Sequence, residues 1–153
     1  MREGCLFCRI IEGREKAWKV YETTSHLTFL TPFPNTSGFT VLIPKEHISS
    51  DVFAMDSEQY SALFLATREV AGLLEKAFGC KRVGLIAEGM AIDHAHVKLV
   101  PMHGIPGGPW EPILSDAHKF NEHYQGYLSS ADGPRMSDIE LLKIQERILS
   151  ASR

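Results

Sequence analysis

The most regular pattern along the chain is an apolar stripe over residues 57–78. Tyr60, Leu63, Phe64, Thr67, Val70, Ala71, Leu74 and Phe78 recur there at three- and four-residue steps and predict a long helix with one core-facing side. Asp56, with Gln59 three residues on, forms a variant capping box at its start, and Gly79 supplies the left-handed residue that closes it. Shorter apolar runs bounded by turn residues predict strands at 18–21, 27–30, 39–43 (ending at Pro44) and 83–87. Residues 94–100 read His-Ala-His-Val-Lys-Leu-Val, an alternation of period two that predicts a half-buried strand. A short helix over 6–12 is stopped by Gly13, a weakly periodic helix falls near 115–128, and Ser137-Asp-Ile-Glu140 is a capping box that opens a last helix. Pro32 and Pro34 cannot donate to a ladder, so 31–38 is a loop, and the Gly/Pro-rich stretch 104–110 is another. Strands and helices mix without strict alternation, which predicts an α+β fold around a mostly antiparallel sheet. No repeat or linker divides the chain, so residues 1–153 are expected to form one domain.

Charge and composition narrow the function. A formal net charge of −3 and an isoelectric point near 6.1 supply no broad basic field, which argues against duplex nucleic acid but permits a local pocket for a small anion. No apolar run approaches the roughly 18 residues of a membrane span, and no signal core follows the opening Met-Arg-Glu-Gly, so a cytoplasmic protein is expected. The three cysteines, Cys5, Cys8 and Cys80, are too few and odd in number for a disulfide framework. The Cys5-x-x-Cys8 spacing fits a redox dithiol, half of a metal site, or coincidence, and only distant histidines can decide. Cys80, next to the helix stop, reads as a packed thiol.

The alternating segment carries the chemistry. Side chains alternate across a strand, so His94, His96 and Lys98 are expected to share a surface while Ala95, Val97 and Leu99 enter the core. An imidazole near neutral pH can be a nucleophile, a general base or a metal ligand, and an adjacent ammonium can offset charge on a phosphoryl group. A solvated strand face with two uninvolved histidines also fits the alternation.

Taken together, His94-Ala-His96-Val-Lys98-Leu-Val-Pro101 resembles the signature of the histidine triad (HIT) family, His-φ-His-φ-His-φ-φ with φ apolar. Cys5-Leu-Phe-Cys8-Arg-Ile-Ile-Glu-Gly13 is similar to that family's opening, and Val41-Leu-Ile-Pro-Lys-Glu-His-Ile48 to its middle strand and following turn. The resemblance covers about residues 5–103, which makes 104–153 a C-terminal extension. It implies a HIT-like fold, with a five-stranded antiparallel sheet, one long helix and, in this chain, additional C-terminal helices. It also implies a homodimer, and a nucleotide hydrolase or nucleotidyltransferase acting at the α-phosphate of a small-molecule nucleotide. The second motif histidine is the family's nucleophile, which places a covalent nucleotidyl-histidine on His96. Branches of the family bind a structural zinc ion, and the matching residues here are Cys5, Cys8, His47 and His94.

Several positions depart from the pattern. Lys98 stands where the third histidine belongs; it keeps positive charge for phosphate oxygens but cannot alternate between donor and acceptor. Thr31 replaces a ribose-binding aspartate, and Phe33 beside it, with Phe29 and Phe39, is a candidate wall for a base. Ala91 and Met90 replace a serine and a glutamine near the leaving group, and His103 is a further candidate for the phosphate pocket. These departures leave a second reading, a nucleotide-binding protein with weak or no turnover. A metallohydrolase built on His94, His96 and Asp93 is disfavoured, because Asp93 falls on the opposite face of the predicted strand.

Overall fold

The computed structural model describes residues 4–113 and 134–151, so the helix expected near 115–128 lies outside the described residues. The elements run α1 (Leu6–Ile11), β1 (Trp18–Glu22), β2 (His26–Leu30), β3 (Thr40–Pro44), a 3-10 turn (Val52–Ala54), α2 (Ser57–Phe78), β4 (Val83–Ile86), β5 (Val97–Pro101) and α3 (Asp138–Ala151). The five strands form one antiparallel sheet in the order β1-β2-β3-β5-β4, as the family resemblance implies.

Both faces of the sheet are covered. Leu30, Leu42, Val97 and Leu99 point to one side, where α2 contributes Leu63, Val70 and Leu74 and α3 contributes Leu141 and Ile148. Leu27, Phe29, Val41 and Ile43 point to the other, where the N-terminal segment lays down Cys5, Phe7, Cys8 and Ile10. This double burial explains why β2 and β3 read as continuous apolar runs rather than alternations.

The helix ends follow the sequence closely. The Asp56 carboxylate accepts the Gln59 amide at 2.8 Å, Gly79 closes α2 at φ +62, and Ser137 and Glu140 exchange hydrogen bonds at the start of α3. α3 is fixed to the sheet and to α2 by Gln145 Nε2 donating to Lys19 O and Arg147 Nε donating to Ala77 O, each at 2.6 Å.

The histidine-bearing strand differs from expectation in two respects. It begins at Val97, not at His94. β3 pairs Leu42 with Val97, and continuing that register sets Ala95 against Pro44, which has no N–H to give, so the ladder stops. Ala95 N donates instead to Ile48 O at 2.8 Å. Nor is the histidine face open to solvent: His94 and His96 are 0% and 2% exposed. The α1 segment packs over that face as a second layer, while Val97 and Leu99 enter the helical core as the alternation predicts.

Candidate functional site

Phe7, between the two cysteines, sets its ring edge against both imidazoles, with centroids 5.7 Å from His94 and 5.4 Å from His96. Burial against this apolar cover is the main reason that both histidines are held below the ordinary value of 6.5, so both rings are neutral at physiological pH. For His96 the His94 carbonyl opposes that shift, with smaller opposed effects from Lys98 and Glu88.

Neutral imidazole carries one proton, and its carbonyl partner identifies the nitrogen that holds it. His94 Nε2 lies 2.9 Å from Pro44 O, and His96 Nδ1 lies 2.8 Å from His94 O. Carbonyl oxygens only accept, so His94 is protonated on Nε2 and His96 on Nδ1. The lone pairs are therefore on His94 Nδ1 and His96 Nε2.

His94 Nδ1 turns toward the cysteines. It lies 3.5 Å from Cys5 Sγ and 3.7 Å from Cys8 Sγ, while His47 Nδ1 lies 3.4 Å from Cys8 Sγ. The four ligand atoms of Cys5, Cys8, His47 and His94 all fall within 4.8 Å of one another. Three of these residues are buried and His47 partly so, and the set could hold a metal ion. The Pro44 carbonyl fixes the His94 tautomer that a metal needs, an outer-shell contact typical of ligating histidines. Asp93 takes no part, since its carboxylate accepts from Ser50 N at 3.2 Å and Ser49 Oγ at 3.5 Å.

Lys98 sits mid-sheet, between Val41 of β3 and Ile86 of β4, and its Nζ donates to Glu88 Oε1 at 2.7 Å. Thr31 Oγ1 accepts the Phe33 amide at 3.2 Å in the loop after β2, and Phe33 is 43% exposed, whereas Phe29 and Phe39 are buried. His103 Nε2 donates to Ser37 O at 2.9 Å and its ring meets Phe78 edge-on. The histidine thus ties the end of β5 to the 31–38 loop. Phe7 and Glu88 are the neighbours of the motif side chains that motif reasoning missed. Phe7 was visible inside the Cys-x-x-Cys spacing, but Glu88, ten residues before Lys98, carries no local signal.

The HIT domain model matches residues 12–109, and the chain belongs to the HIT family. Among curated proteins it is 33% identical to protein hit of Bacillus subtilis over 107 residues, covering 67% of this chain and 73% of that one. It is 29% identical over 103 residues to adenosine 5'-monophosphoramidase of Schizosaccharomyces pombe, covering 67% of this chain and 74% of that one. Among solved structures, a zinc-bound histidine triad family protein of Mycobacterium smegmatis superposes with a TM-score of 0.69 at 18% identity, covering 97% of this chain and 92% of that one. The family includes enzymes that act on nucleotides, the phosphoramidase among them. No described helix is long and apolar enough to cross a membrane.

Proposed function

We propose that this protein is a nucleotide hydrolase or nucleotidyltransferase that works through a covalent adduct on His96. The carrying observation is the Nδ1–H to His94 O hydrogen bond, which leaves the lone pair on Nε2. Nε2 attacks the α-phosphorus, a P–N bond forms, and the bond to the leaving group breaks with its electron pair departing on that group. Water or an acceptor phosphate then attacks phosphorus, the P–N bond breaks, and Nε2 recovers its lone pair. Dividing one displacement into two lets a preset imidazole perform the difficult step. Activity of the S. pombe relative on adenosine phosphoramidate supports the reaction class.

In this reading Lys98 meets the phosphoryl oxygens, the Thr31 hydroxyl meets the sugar, and Phe33 offers an exposed ring to the base. His103 serves the same pocket by holding the loop that carries Thr31 and Phe33, through the Ser37 carbonyl. Zinc is the ion we assign to Cys5, Cys8, His47 and His94. Bonds of about 2.3 Å to sulfur and 2.0–2.1 Å to nitrogen in a tetrahedron set S and N roughly 3.5–3.6 Å apart. Three of the four separations here are 3.4, 3.5 and 3.7 Å, and all four ligand atoms lie within 4.8 Å of one another. A closed Cys₂His₂ set would serve structure, pinning the N-terminal segment over the sheet.

The test is to incubate the protein with labelled adenosine phosphoramidate, diadenosine polyphosphates and nucleotide sugars, quench early, and look for acid-labile label on protein. Label on wild type and none on His96→Asn is the expected result. Unimpaired turnover by His96→Asn would end the assignment. Tight binding of these nucleotides with neither label nor turnover would favour a binding protein.

A further inference from the structure

We infer that Glu88 is a positioning residue of this site, holding the Lys98 ammonium as a fixed donor beside the nucleophile. The inference rests on the covalent reading given above. Lys98 follows His96 by two residues on the same side of the chain, which sets the two side chains as neighbours roughly 7 Å apart at their bases. A free lysine there would carry four rotatable bonds and a wandering charge, a poor donor for a transition state that needs its partners already in place. Glu88 removes that freedom. The 2.7 Å ion pair is almost enclosed, with side chains 12% and 7% exposed for Lys98 and Glu88. An ammonium has three N–H donors, and the Glu88 carboxylate engages one of them, so the ammonium can still direct the others at phosphoryl oxygens.

The backbone that carries Glu88 is held as firmly. Gly89 has φ +69, and a Cβ on it would lie 2.4 Å from Ser50 O, so the turn is pressed against the loop before the 3-10 turn with no room for a side chain. Glu88 also lines a hollow of about 560 Å³ with Val52, Phe53, Ala87 and Met90, so its side of the pair borders open space. A stability role explains this poorly. Enclosed ion pairs gain little over apolar residues of similar volume, and selection for packing alone would not require a charge pair next to a nucleophile.

The experiment measures single-turnover formation of the His96 adduct from labelled adenosine phosphoramidate. Wild type is compared with Glu88→Gln, Glu88→Asp, Lys98→Met and the double variant Glu88→Gln/Lys98→Met. Loss of one preset donor slows such steps by roughly 100-fold. Glu88→Gln and Lys98→Met should each slow formation by about that factor at saturating substrate with little change in KM. The double variant should be no slower than either, and Glu88→Asp should recover part of the rate. The double variant also removes the unpaired charge that could unfold a single variant. Multiplicative loss in the double variant, or adduct formation by Glu88→Gln at the wild-type rate, would overturn the inference. An independent readout is the Lys98 ammonium nitrogen resonance, expected to be slow to exchange in wild type and lost in Glu88→Gln; persistence in that variant would also overturn it. Absence of adduct in wild type would instead refute the covalent reading and this inference with it.

Discussion

His94 and His96 hold opposite tautomers, and the main-chain carbonyl of the first accepts the ring proton of the second at 2.8 Å. Two imidazoles two residues apart thereby carry their lone pairs on different nitrogens, His94 on Nδ1, which faces the cysteines, and His96 on Nε2. Nitrogen-15 correlation spectra of the folded protein near neutral pH should show His96 protonated at Nδ1 and His94 at Nε2. The reverse tautomer on His96 would remove the basis for Nε2 attack.

Purification without added metal should yield about one zinc per chain, and Cys8→Ser should abolish that stoichiometry. Because such a site binds the folded chain and pins α1, chelation should lower the thermal midpoint by roughly 10 °C or more. Metal-free protein with an unchanged midpoint would refute the assignment.

Stability should fall on acidification. His26, His94 and His96 are each held below the ordinary value of 6.5, chiefly by burial. Above that pH neither folded nor unfolded chain protonates them appreciably. Below it, the unfolded chain takes up protons that the folded chain refuses, and the balance shifts toward unfolding by up to about 1.4 kcal/mol per pH unit for each histidine. Urea midpoints measured at about pH 7.5 and pH 5.5 should show this drop, with a shallower slope in His26→Gln. A midpoint that rises on acidification would contradict the burial seen here.

Phe7→Ala should cost about 3–5 kcal/mol, since its ring packs against Phe29, His94 and His96 together. Phe7→Leu should cost clearly less. Equal denaturant midpoints for the two variants would mean that the aromatic cover does little to enclose the imidazoles.

Much of this is legible in the sequence. The α2 stripe and its caps are local signals, and local chemistry decides them: the Asp56 cap, the Gly79 stop and the Ser137–Glu140 box all occur where the residues indicate. The grouping of Cys5, Cys8, His47 and His94 was legible only through the family resemblance, because spacing alone left the dithiol undecided. The burial of the histidine face is not legible in the alternation. Alternation reports which side chains share a side, but not what packs on that side, and α1 comes from ninety residues upstream. Glu88 was missed for the same reason, since its partner is chosen by the β4–β5 register and not by any local pattern.

The hydrogen bond that orients His96 is accepted by a peptide oxygen, and no side-chain replacement at position 94 deletes a peptide oxygen. Replacing His94 would remove one member of the Cys5, Cys8, His47 and His94 cluster and yet keep the carbonyl that sets the His96 ring, so two features that touch in space can be lost separately.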